Sequence, residues 1–145
     1  MDDIRLIAKK ARKALEIFAE SQDSVEEHYH KNDDLNSACA VGSVFLSKLL
    51  EKNGHDVQVY ELNFVCGNHC FIRVNELAID LTATQFQNVK RKVVIKEFRH
   101  YISWFMGQTN WMVYAMNEFS GKDWPKEQYP RKEILEKLHK IYEEL

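Results

Sequence analysis

Apolar residues recur every three to four positions near the start of the chain, where Ile4, Ile7, Ala8, Ala11, Ala14, Leu15, Phe18 and Ala19 form one stripe and the lysines and arginines lie opposite. The spacing predicts an amphipathic helix over residues 2–20. Ser21 to Asp34 breaks the pattern. It is polar and acidic, and Ser24-x-x-Glu27 fits a capping box for a short helix or turn, so the stretch reads as a connector. Helical spacing returns with Val41, Phe45, Leu49 and Leu50, which predicts a second helix from Ala38 to Asn53, ending where Gly54 can take a left-handed cap. Asn36 and Ser37 are both good N-cap types, so Cys39 falls in the first turn of that helix.

Beyond Gly54 the period changes to two. Val57 to Leu62 alternates with β-branched and aromatic residues and predicts a strand, followed by a loop around Cys66-Gly67-Asn68. A hairpin comes next. With Asn75 and Glu76 as its turn, Phe71 opposes Asp80 and His69 opposes Thr82, so His69 and Asp80 share a face as diagonal neighbours about 7–8 Å apart at the backbone. The other face collects Cys70, Ile72, Val74, Leu77, Ile79 and Leu81, all apolar as a core surface should be. Asn-Glu lacks the glycine that two-residue turns prefer, and a three-residue loop would break this parity. Lys92 to Lys96 predicts a further strand. From Phe98 to Tyr129 the chain holds nine of its 17 aromatic residues, including all three tryptophans, interrupted by Gly107, Gly121 and Pro125. No element is assigned there. After Pro130, Ile134, Leu135, Leu138, Ile141, Tyr142 and Leu145 predict an amphipathic C-terminal helix. The pattern as a whole is that of one α+β domain spanning residues 1–145.

Composition narrows the function classes. Charged residues make up 29% and hydrophobic ones 45%, and a net charge of -2 supplies no overall field for holding nucleic acid. Lys90-Arg91-Lys92, with Lys96 and Arg99, reads as a solvated strand end rather than a phosphate-binding patch. Three cysteines cannot all pair within one chain, and Met1-Asp2-Asp3-Ile4-Arg5 lacks the features of a secretory signal. A reducing, cytoplasmic setting with no membrane span is expected.

The candidate chemistry lies between Asn36 and Phe86. In chain order it offers a cysteine at a helix start, where free N–H groups and the positive dipole end favour a thiolate, then His69, then Asp80. These are the groups needed to form a thiolate, carry a proton and hold an imidazole in one tautomer. Asp80 sits in the apolar run Leu77 to Leu81, where an unpaired carboxylate would be costly and an imidazole N–H would remove that cost.

Cys39 opening a helix, His69-x-Phe71 starting a strand, and Asp80-x-Thr82 one strand later with Gln85-Phe86 just after resemble the papain-like fold in its transglutaminase-like branch. The D-x-T-x-x-Q-F ending looks like the small bacterial and phage members. The resemblance covers about residues 36 to 86. It implies a central cysteine-bearing helix packed on a small antiparallel sheet, with N- and C-terminal helices around it. It also implies a Cys39 nucleophile, a His69 general base and then acid, and an Asp80 orienting group. The substrate would be a protein or peptide amide, cut, deamidated or transferred without a cofactor. There are departures. No residue before Cys39 clearly matches the glutamine that donates to the oxyanion in papain-like enzymes, and Cys70 stands between the histidine and its aromatic neighbour. Asn36 or Gln22 can supply the missing donor beside the Cys39 N–H, although Asn36 reads more readily as a helix cap. Gln85 and Trp104 are further candidates for the oxyanion or the substrate.

Two other readings stay open. Cys66-x-x-His69-Cys70 packs three metal-ligand types into five residues, with His55 or Cys39 as a fourth, although strand alternation sends Cys70 away from His69. A binding or inhibitory protein could use a degenerate papain-like fold, or the aromatic segment as its contact surface, with Trp104, Trp111 and Trp124 also able to wall a groove beside the cysteine. Substrate and oligomeric state are not written in the sequence.

Overall fold

A computed structural model describes residues 2–21, 39–120 and 132–145. Within them the order is α1 (Asp2–Ala19), α2 (Cys39–Lys52), β1 (Val57–Phe64), β2 (Gly67–Val74), β3 (Leu77–Asp80), a 3-10 turn (Ala83–Gln85), β4 (Val94–Glu97), α3 (Phe98–Thr109), β5 (Val113–Ser120) and α4 (Lys132–Glu143). The five strands form one open antiparallel sheet in the order β4-β3-β2-β1-β5. The arrangement is α+β, with helices on both sides of the sheet.

Alternation decides which helix each strand residue meets. Val57, Val59, Ile72, Val74, Ile79 and Leu81 face α1, α2 and α4, and join Ala11, Leu15, Phe45, Leu50, Ile134 and Leu138 in the larger core. The intervening positions Tyr60, Leu62, Phe64, Phe71 and Ala78 face α3 and pack on Tyr101 and Phe105. Covering both faces explains why central β1 and β2 are rich in large apolar residues on each side.

α2 is the innermost helix. Val41, Gly42, Ser43, Val44, Phe45, Leu46, Ser47, Leu49 and Leu50 are all buried, as expected of a helix enclosed on nearly every side. Gly42 lets α1 and the segment after β3 come close, since a Cβ there would meet Leu15 Cδ1 at 3.0 Å and Thr82 Cγ2 at 3.4 Å. The helix stops in a Schellman motif. Gly54 takes φ +88°, its N–H reaches Glu51 O at 3.0 Å, and the His55 N–H reaches Leu50 O at 3.0 Å.

The hairpin has the expected register, with Ile72 opposite Ile79, Arg73 opposite Ala78 and Val74 opposite Leu77. Asn75 supplies the positive φ, +54°, that the turn needs in place of glycine. Other boundaries differ from the sequence expectation. β1 and β2 run on to a tight turn at Val65-Cys66, so Asn68 lies in a strand rather than a loop. The fourth strand is Val94–Glu97 rather than 92–96, and Lys92 instead pairs with Glu16 at 2.9 Å. The unassigned aromatic stretch contains α3, closed by Asn110 at φ +61°, and β5, which returns to pair with β1. Arg12, expected on the solvent stripe of α1, is buried. The connector with its capping box, the Asn36-Ser37 cap, Gly121, Trp124, Pro125, Tyr129 and Pro130 lie outside the described residues. Among the described residues, no helix is long and apolar enough to cross a membrane.

Candidate active site

Asp80 ends β3 with its carboxylate fully buried. Oδ1 accepts the Thr82 N–H at 2.9 Å, while Oδ2 accepts His69 Nε2–H at 2.7 Å and the Tyr101 hydroxyl at 2.5 Å. Burial works against ionisation, but the His69 charge and these three donors overcome it and hold the carboxyl below its ordinary range. Tyr101 remains a phenol, because burial and the Asp80 charge push its pKa well up.

His69 is as buried as Asp80 and projects from β2 toward α3. Its ring is stacked on Phe105, 5.5 Å away at 17°, and meets Phe86 edge-on at 4.8 Å. Burial disfavours its charged form, but the Asp80 charge and hydrogen bond, reinforced by Cys39, win and bring its pKa to about 10. The second ring nitrogen, Nδ1, meets the Gln85 side-chain Nε2 at 2.6 Å.

Cys39 opens α2, half-buried where this helix packs on β2. Its thiol pKa lies well below the ordinary value. The Cys70 S–H donates to it, burial opposes, and His69 stabilises the thiolate by hydrogen bond and charge, with the Cys70 N–H as a further donor. Cys70 is displaced the other way, first by its bond to Cys39 and then by burial. Two touching thiols do not both ionise. The proton stays on Cys70, and the charge settles on the sulfur with His69 and a backbone N–H to stabilise it.

The cysteine, imidazole and carboxylate therefore form one electrostatically linked set, drawn from α2, β2 and β3. Such a set can hold a thiolate, a proton and a fixed ring. Of the other sequence candidates, one touches this set. Gln85 sits on the histidine. Trp104 is half-buried against Tyr101 at 5.6 Å, under the Lys96 amine, and packs on the small cluster of Ala83, Val89 and Val94. Asn36 and Gln22 lie outside the described residues.

Cys66 is exposed in the β1–β2 turn, and His55 is tied to Asp3 at 2.7 Å. Among the described residues, no three Cys, His, Asp or Glu side chains converge as a metal would require.

Two contributors escaped the sequence reading. Tyr101 was hidden in the aromatic segment, although Phe98, Tyr101 and Phe105 follow helical spacing that would have placed them on one face. Arg12 bonds Leu81 O and Thr84 Oγ1, both at 2.8 Å, and so anchors the loop between Asp80 and Gln85 to α1. Comparison of the chain with family models, with curated proteins and with solved structures finds no match.

Proposed function

We propose that this chain is a cysteine-dependent acyl-transfer enzyme acting on amide bonds of a protein or peptide, built on a papain-like core of the transglutaminase-like branch. The observation that carries the reading is the buried His69–Asp80 hydrogen bond at 2.7 Å, placed so that the same imidazole stabilises a Cys39 thiolate. A carboxylate that fixes one ring nitrogen, with a thiol of lowered pKa coupled to the same imidazole, is the arrangement that nucleophilic acyl transfer uses.

In the proposed reaction the Cys39 thiolate attacks the carbonyl carbon. The C=O electron pair moves to oxygen, and the Cys39 N–H at the start of α2 is one donor to that oxyanion. Collapse breaks the C–N bond, and imidazolium His69 gives its proton to the departing amine, leaving a thioester. His69, now neutral, takes a proton from water or a second amine as it attacks the thioester. Cys39 leaves as thiolate, and the acid or the new amide is released. Asp80 keeps Nε2–H in place throughout and remains ionised.

The test is a pH profile of alkylation by iodoacetamide, with the modified cysteine mapped by mass. Cys39 should react ahead of Cys66 and Cys70 and stay reactive well below the ordinary thiol pKa of about 8.5. His69→Ala should move the onset to higher pH. An unchanged profile in that variant would show that the two side chains are uncoupled and end the enzymatic reading. Asp80→Asn should remove turnover while leaving much of the labelling.

A further inference from the structure

Both ring nitrogens of His69 are engaged. Nε2 is committed to Asp80, in a pocket closed by Tyr101, so any proton exchanged with Cys39 or a leaving amine must pass through Nδ1. Nδ1 is already occupied by the Gln85 amide nitrogen at 2.6 Å. The ring does not depend on Gln85 for its orientation, because Asp80 holds one edge and Phe105 and Phe86 hold its face and side.

We infer that Gln85 is a latch on the general base: its amide competes for the nitrogen that Cys39 and the leaving group use, and it holds turnover back while it is seated. The inference rests on the acyl-transfer reading of Cys39, His69 and Asp80.

Hydrogen-bond chemistry gives the latch a sign. An amide N–H can donate to Nδ1 only if that nitrogen carries a lone pair, which is the neutral tautomer with its proton on Nε2. The imidazolium places a proton on Nδ1, and two donors then face each other. Gln85 as seated therefore favours the neutral thiol–imidazole pair, whereas Asp80 and Cys39 itself favour the ion pair. The other groups facing the site are Tyr101 from α3, Cys70 from β2 and, through Cys70, Glu61 from β1. None of them reaches Nδ1 in place of the amide. The Gln85 side chain is held there by little else. It ends a single 3-10 turn, is half-exposed, and makes its side-chain bond to His69 alone among the described residues.

The experiment compares Cys39 alkylation rates at neutral pH, and His69 side-chain 15N shifts, in the full chain and in Gln85→Ala, Gln85→Leu and Gln85→Glu. Losing one competing hydrogen bond should speed alkylation roughly three- to ten-fold in Gln85→Ala and shift its onset to lower pH. Gln85→Leu keeps bulk beside the ring and should act in the same direction, which guards against a loop that loosens in the alanine variant. Gln85→Glu should slow alkylation, because a carboxylate accepts the Nδ1–H hydrogen bond in place of the thiolate and repels the thiolate's charge. The Nδ1 shift should leave its hydrogen-bonded, unprotonated position in the first two variants. Slower or unchanged alkylation in both Gln85→Ala and Gln85→Leu overturns the latch. So does an equal acceleration by Gln85→Ala in a His69→Ala background, since that would reflect mere opening of the pocket. A movement of the Nδ1 shift with Gln85, alongside alkylation that ignores His69, would keep the amide–imidazole contact and remove the acyl-transfer reading, so the two failures are distinguishable.

Discussion

Asp80 receives hydrogen bonds from three places at once: the histidine of the neighbouring strand, the Tyr101 hydroxyl of the helix that covers this face of the sheet, and the backbone of Thr82. Each donor removes part of the cost of a buried negative charge, so deleting one should be felt in stability as well as chemistry. Tyr101→Phe keeps the ring packed on Phe71, 4.2 Å away, and removes only the hydroxyl. It should lower stability by about 1–3 kcal/mol in urea unfolding and weaken the depression of the Asp80 pKa. The shared parity of His69 and Asp80 was legible because side chains on a strand alternate with period two, so a turn position fixes the face of every residue after it. The Tyr101 hydroxyl was not, because its direction depends on how α3 docks across the sheet. The partner of Gln85 was hidden for a similar reason, since it depends on the path of the loop after β3.

At the scale of elements, the hairpin and α1 hold the site from opposite sides. Asn75 carries the turn with φ +54°, a conformation that asparagine tolerates better than most non-glycine residues. Asn75→Ala should cost about 1 kcal/mol and Asn75→Gly a few tenths or less, measured by chemical denaturation. On the other side, the buried guanidinium of Arg12 bonds the Leu81 carbonyl and Thr84 hydroxyl and pairs with Glu16 at 3.3 Å. Arg12→Met should cost about 3 kcal/mol, because it leaves the Leu81 carbonyl and Thr84 hydroxyl without their donor and, among the described residues, the part-buried Glu16 carboxylate with Lys92 alone. Arg12→Lys should recover only a fraction, since one ammonium does not reproduce the fork. Helices α1, α2 and α4 and the hairpin could be read from periodicity alone. The inward arginine could not, because a cation on an amphipathic helix ordinarily faces water and nothing local marks an exception. The strand expected at 92–96 was legible except for its bounds, whereas the split of the aromatic segment into helix and strand is set by packing and pairing with distant elements, beyond any local window.

Across the whole molecule, the charged site makes stability depend on pH in a way that two opposed groups determine. The folded pKa of His69, near 10, exceeds its ordinary 6.5, so its contribution is complete below about 6.5 and is lost as pH rises through 10. Cys39 is depressed, so its contribution is complete only above the ordinary thiol value of about 8.5 and is lost as pH falls through the lowered one. Between about pH 6.5 and 8.5 the two trends cancel, because folded and unfolded chains hold the same number of protons on the pair. Stability of the intact chain should be flat there and fall toward pH 10. Cys39→Ser removes one trend, and its stability should decline with pH from about 6.5 upward, followed by thermal or urea unfolding across that range. The Arg12 contacts also bear on the order of folding. They join residues 69 and 72 positions apart in the chain, whereas β2 and β3 meet across a two-residue turn. Loop-closure entropy delays such long-range contacts relative to local ones. Helix α1 is made before the strands, yet its arginine lacks the Leu81 and Thr84 acceptors until the loop after β3 has emerged. The segment bearing Gln85 therefore becomes fixed late, and a nascent chain can hold a formed hairpin well before the loop that follows it is anchored.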